Sequence, residues 1–169
     1  MATTWNLSNL YNSETDPQIQ KDIETSSSNV QAFIEKWKDT EGYLKDPAIL
    51  KVALDEYENL HSTTGICDKP LYYFILRNNL DQTDPDIKAR LNKISDICTK
   101  LENDIQFFEL NISKIPKEDQ PLFLEYTELE EYKHFLEQLF LSSKYLLTDK
   151  EEKIFNLTGK TSYSNPVGI

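Results

Sequence analysis

From Ile87 onward the apolar positions Ile87, Leu91, Ile94, Cys98, Leu101, Ile105, Phe108, Ile112 and Ile115 recur at alternating steps of four and three. Such a repeat of about 3.5 residues lays one apolar seam along a single helix, held here for about eight turns. Pro116 stops the pattern, and K-E-D-Q-P leads to a second helix from about Leu122 to Leu147. Leu129, Tyr132, Leu136, Leu139 and Phe140 define its apolar face. Two long helices joined by so short a turn predict an antiparallel, coiled-coil-like hairpin over about 85–147. The plainest role of the seam is packing.

Upstream, a helix at about 17–38 carries Ile19, Ile23, Val30, Phe33, Ile34 and Trp37 on one face. The run T-S-S-S-N at 25–29 is a poor helix former, and a break or kink is expected there. A second helix at 47–61 presents Ile49, Val52, Ala53, Tyr57 and Leu60, and a short one covers Leu71 to Leu80. Asp16-Pro17, Asp46-Pro47 and Asp84-Pro85 each precede an apolar-periodic run. Aspartate caps orphan N–H groups and proline is tolerated in the first helical turn, so all three mark helix starts. Thr148-Asp149-Lys150-Glu151 has the spacing of a capping box. With four glycines and no alternating strand pattern, the fold class is all-α, an elongated helical bundle. The bundle is expected to occupy residues 1–157, with 158–169 a linker or the start of a further domain.

Composition narrows the partners. A chain of 169 residues is one domain in length and buries about 70% of the surface exposed when it is unfolded. Its 18 basic residues face 29 acidic ones, a net charge of −11, so phosphate backbones and anionic membranes are repelled at long range. Neither nucleic acid nor a membrane is expected as a partner. The opening M-A-T-T-W-N-L-S-N-L-Y has no basic stretch followed by an apolar one, and L-Y-Y-F-I-L at 71–76 is far too short to span a bilayer. A cytoplasmic location is expected. Cys67 and Cys98 stand 31 positions apart with no C-x-x-C spacing, which suggests two buried free thiols.

The candidate chemistry lies in the two histidines. Each follows a glutamate by three, as Glu58-x-x-His61 and Glu131-x-x-His134. A ferritin-like di-iron bundle takes two such pairs plus a glutamate from each of two other helices, and Glu24 and Glu102 complete that order. Orientation opposes it. At about 100° per residue, His134 falls roughly 160° and Glu131 roughly 140° from the centre of their apolar face, and Glu58 roughly 120° from its own. Surface ion pairs are the better reading. The chain also has no P-loop, G-x-S-x-G, G-x-G-x-x-G or H-E-x-x-H. Cys–His nucleophilic catalysis has no support in the spacing. No residue is assigned as catalytic, cofactor-binding or metal-binding.

An ordered set of segments is more informative. T-W-N-L-S-N-L-Y, D-P-A-I-L-K-V-A-L-D-E-Y-E-N-L, K-A-R-L-N-K-I, I-Q-F-F-E-L, Y-K-H-F-L-E-Q-L-F and K-Y-L-L-T-D-K-E-E-K-I-F-N-L resemble the amino-terminal helical region of oligoendopeptidase F. The resemblance implies a cytoplasmic zinc metallopeptidase of the thimet-oligopeptidase-like class that cleaves short peptides. In that family H-E-x-x-H and a downstream glutamate hold zinc in a later domain. No position here matches those residues, so the chain alone is expected to be inactive and to hold no cofactor. The resemblance makes these helices one wall over a substrate channel, restricting access to short peptides, with the catalytic domain as partner. The acidic helical faces or Leu71-Tyr72-Tyr73-Phe74 are expected to contribute. Without its partner domain, an apolar docking face is expected to promote self-association. A stand-alone helical interaction protein would show the same pattern.

Overall fold

The computed structural model describes residues 6–62 and 66–142, and every regular element among them is helical. The elements are α1 (Pro17–Trp37), α2 (Pro47–Ser62), α3 (Asp68–Leu80), α4 (Pro85–Ile105), α5 (Phe107–Ser113), α6 (Gln120–Leu124) and α7 (Lys133–Ser142), with 3-10 turns at Gly42–Leu44 and Thr127–Tyr132. The all-α bundle expected from the periodicity is therefore present. The proposed capping box at Thr148, the end of the second long helix and the boundary after Leu157 lie outside the described residues.

The three Asp-Pro pairs start helices as expected. The Asp16 carboxylate accepts the Gln18 N–H at 2.9 Å, Asp46 accepts that of Ala48 at 2.8 Å, and Asp84 accepts those of Asp86 and Ile87 at 2.9 and 3.1 Å. Each satisfies donors that the first turn cannot pair internally. The expected break at 25–29 does not occur, since α1 runs through that segment without interruption. The hydroxyl of Thr25 turns back onto the Lys21 carbonyl at 2.8 Å, so this side chain bonds within the helix. Ser26 is buried in line with Ile19, Ile23, Val30, Phe33 and Trp37, and tertiary packing outweighs the weak local propensity.

The two continuous helices expected over 85–147 are instead divided. The N–H of Gln106 bonds the Asn103 carbonyl at 3.3 Å, a tighter step than an α-turn, and separates α4 from α5. The apolar seam nevertheless passes through the joint, with Ile105, Phe108, Ile112 and Ile115 all buried. Further on, Tyr126 takes an extended conformation (φ −75°, ψ 117°) and ends the helical path after α6. The chain then passes through the 3-10 turn into α7, keeping Phe123, Leu129, Leu136 and Phe140 in the core. The pairing also differs from one long hairpin. α4 lies chiefly against α3 and α1, whereas α5 packs on α7.

α1 touches α2, α3 and α4, and the core is continuous across the bundle. Its aromatic centre gathers rings from four parts of the chain. Phe108 lies 5.2 Å from Phe33, 5.2 Å from Tyr43 and 5.0 Å from Tyr57, between ring centroids. These separations suit edge-on and tilted aromatic contacts. Among the described residues, no helix is long and apolar enough to cross a membrane.

Candidate functional site

The residues considered for a di-iron centre do not converge. Glu24, Glu58, His61, Glu102, Glu131 and His134 are all exposed, as the helical geometry predicted for Glu131 and His134. Among the described residues, no three histidine, cysteine or acidic side chains are grouped so as to hold a metal ion. Glu131 serves another purpose: it pairs with Lys51 of α2 at 2.8 Å. His61 Nδ1 lies 2.8 Å from the Tyr57 carbonyl, which only accepts, so Nδ1 carries the proton.

A more organised polar group joins α2 to the Thr127–Tyr132 turn. The Tyr132 hydroxyl lies 2.7 Å from carboxylate oxygens of both Asp55 and Glu58, which share its single proton. Lys51 Nζ reaches Asp55 at 2.6 Å and sits 5.3 Å from the centre of the Tyr132 ring. Burial, then the hydrogen bonds to Asp55 and Glu58, push the ionisation of Tyr132 well above the usual tyrosine range. Burial works against the Asp55 charge, but the hydrogen bonds from Lys51 and Tyr132 outweigh it and hold its carboxyl below the ordinary value. Hydrogen bonds to Asp55 and Glu131 keep Lys51 protonated beyond its ordinary range. With its acidity suppressed, Tyr132 is unsuited to donate a proton in catalysis near neutral pH.

Beside this group lies a cavity of about 270 Å³ lined by Leu54, Tyr57, Glu58, His61, Tyr132 and Phe135. The Tyr57 ring is 4.6 Å from that of His61 and 6.5 Å from that of Phe135. The cavity offers mainly apolar and aromatic walls with a carboxylate at one side. It can receive an apolar group, but its lining holds no nucleophile paired with a general base.

The sequence reading missed this arrangement because Tyr132 counted only as an apolar-face residue. A usable signal was the polar stripe Lys51, Asp55 and Glu58, spaced by four and three along α2. The segment Leu71-Tyr72-Tyr73-Phe74 divides in two. Tyr73 and Phe74 are core residues, while Tyr72 is 56% exposed and stands one turn from exposed Ile75. Ile49 and Val52 form a comparable exposed pair on α2.

Comparison with known proteins gives the resemblance independent support. A family model described as Oligopeptidase F, built on the amino-terminal part of M3 peptidases, matches residues 111–165. The plasmid-encoded oligoendopeptidase F of Lactococcus lactis subsp. cremoris is 25% identical over 159 residues. The oligoendopeptidase F homolog of Lactococcus lactis subsp. lactis (strain IL1403) is likewise 25% identical over 159 residues. Both alignments cover 93% of this chain and 25% of the relative, so the chain spans about a quarter of the length of the curated relatives it matches. No solved structure gives a significant match. The resemblance read from the ordered segments is borne out over nearly the whole chain.

Proposed function

We propose that this chain, similar to oligoendopeptidase F along its length, is the non-catalytic amino-terminal helical domain of a cytoplasmic zinc oligopeptidase. The observation that carries the reading is the alignment over 93% of the chain to a quarter of each relative. In the complete enzyme a separate domain supplies zinc and the chemistry. These helices form a wall that limits the channel to short, unstructured peptides. The acidic surface, at a net −11, disfavours anionic substrates, and the cavity between Tyr57 and Phe135 offers an apolar foothold along that wall. The exposed pair Tyr72 and Ile75 on α3 is assigned to docking on the catalytic domain. Freed of that domain, the same face drives self-association.

The test compares the chain alone with its fusion to a catalytic domain containing H-E-x-x-H. Fluorogenic peptides of graded length serve as substrates, with zinc present. The chain alone is expected to leave all of them intact, and the fusion to cleave short peptides while sparing long or folded ones. Hydrolysis by the isolated chain would overturn the non-catalytic assignment. Unchanged length selectivity after deletion of these helices from the fusion would overturn their role in restricting access.

A further inference from the structure

The folded chain brings together two cysteines that the sequence separates by 31 positions. Cys67 is fully buried at the residue before α3, and Cys98 is buried midway along α4. Both are free thiols. Cys98 Sγ lies 3.9 Å from the Cys67 carbonyl oxygen, which places the two cysteines side by side in the core. Cys67 holds a left-handed conformation, φ 64°, and is the one non-glycine residue with positive φ among those described. Ser26, the polar position in the apolar stripe of α1, is buried as well.

We infer that Cys67 and Cys98 form a dithiol modification site that a peroxide converts to an intrachain disulfide, with Cys67 attacking first and Cys98 resolving. The sulfurs are inequivalent. The neighbouring Cys98 lowers the ionisation of Cys67, an effect that Ser26 reinforces while burial, Asp68 and Glu102 oppose it. Cys98 is pushed the other way, first by Cys67 and then by burial.

The chemistry balances with one peroxide. The Cys67 thiolate attacks an oxygen of hydrogen peroxide: the S–O bond forms, the O–O bond breaks, and hydroxide leaves to take up the proton lost by Cys67. Cys98 then attacks the Cys67 sulfenic acid: the S–S bond forms, the S–O bond breaks, and the departing hydroxide takes the Cys98 proton. Two thiols are oxidised, and one peroxide becomes two waters. Burial of both sulfurs makes the reaction slower than in the unfolded chain. The product ties the start of α3 to the middle of α4 and raises Tm.

The experiment treats the full 169-residue chain with hydrogen peroxide in native buffer and in urea, followed by intact mass and non-reducing peptide mapping. The native chain is expected to lose about 2 Da, with one Cys67–Cys98 linked peptide pair and no covalent dimer. Cys98→Ser is expected to accumulate a dimedone adduct at Cys67, whereas Cys67→Ser leaves Cys98 reduced. Ser26→Ala should slow disulfide formation without preventing it. Should a cysteine variant fail to fold, the wild-type map decides the question alone. Thiols that stay reduced in the native chain on prolonged exposure, long after the chain in urea is fully oxidised, would overturn the proposal, as would intermolecular disulfides. Sulfenic acid trapped at Cys98 would overturn the assigned order.

Discussion

Tyr57 and Glu109, 52 positions apart, are joined by a 2.7 Å hydrogen bond that fastens α2 to α5 beside the aromatic centre. Tyr57→Phe keeps the ring and removes this bond, leaving the carboxylate to water. A loss of about 1–2 kcal/mol is expected. In urea titrations the midpoint should fall with the slope unchanged, because the exposed area on unfolding stays the same.

Tyr132→Phe should weaken the attachment of the Thr127–Tyr132 turn to α2. Asp55 keeps Lys51, but Glu58 loses the hydroxyl that reaches it at 2.7 Å. The expected loss is about 1 kcal/mol. A double-mutant cycle with Glu58→Gln measures the coupling, which should be smaller than that with Asp55→Asn if Asp55 is the principal proton acceptor.

Phe108 is fully buried against Phe33, Tyr43 and Tyr57. Phe108→Ala leaves a cavity lined by three rings and is expected to cost about 3–5 kcal/mol. That is a large share of the stability of a domain this size, so thermal unfolding should begin far below the wild-type transition. Phe108→Leu should recover much of the loss.

Asp84 caps α4 through two backbone N–H groups. Asp84→Ala is expected to cost about 1 kcal/mol, while Asp84→Ser should keep most of the stability because a hydroxyl can still accept. Equal losses in both variants would show that the charge matters more than the cap.

Stability should fall at both ends of the pH scale, for opposite reasons. Burial and hydrogen bonds to carboxylates raise the ionisation of Tyr11, Tyr57 and Tyr132 in the folded chain. Their contribution is whole below the ordinary tyrosine value of about 10 and is lost as pH rises above it. Asp22 and Asp55 are resisted by burial, but their hydrogen-bond partners prevail and lower both below the ordinary 3.8. Their contribution is present above that value and disappears as pH falls through the lower folded value. Denaturation midpoints measured from pH 2 to 11 should show both declines. Tyr132→Phe should flatten the alkaline one.

Helix starts, the all-α class and most core positions follow from the sequence because they depend on local chemistry. An aspartate before proline caps whichever chain it begins, and a repeat of about 3.5 residues buries one face whatever lies opposite. The solvent-facing placement of Glu131 and His134 follows from the same periodicity. The continuity of α1 through its serines, the division at Gln106 and the extended Tyr126 depended on long-range packing, which can outweigh local preference by several kcal/mol. The tyrosine–carboxylate group between α2 and the Thr127–Tyr132 turn, and the meeting of Cys67 with Cys98, required knowing which helices touch. A helical repeat specifies which face is buried; only the tertiary structure decides what that face is buried against.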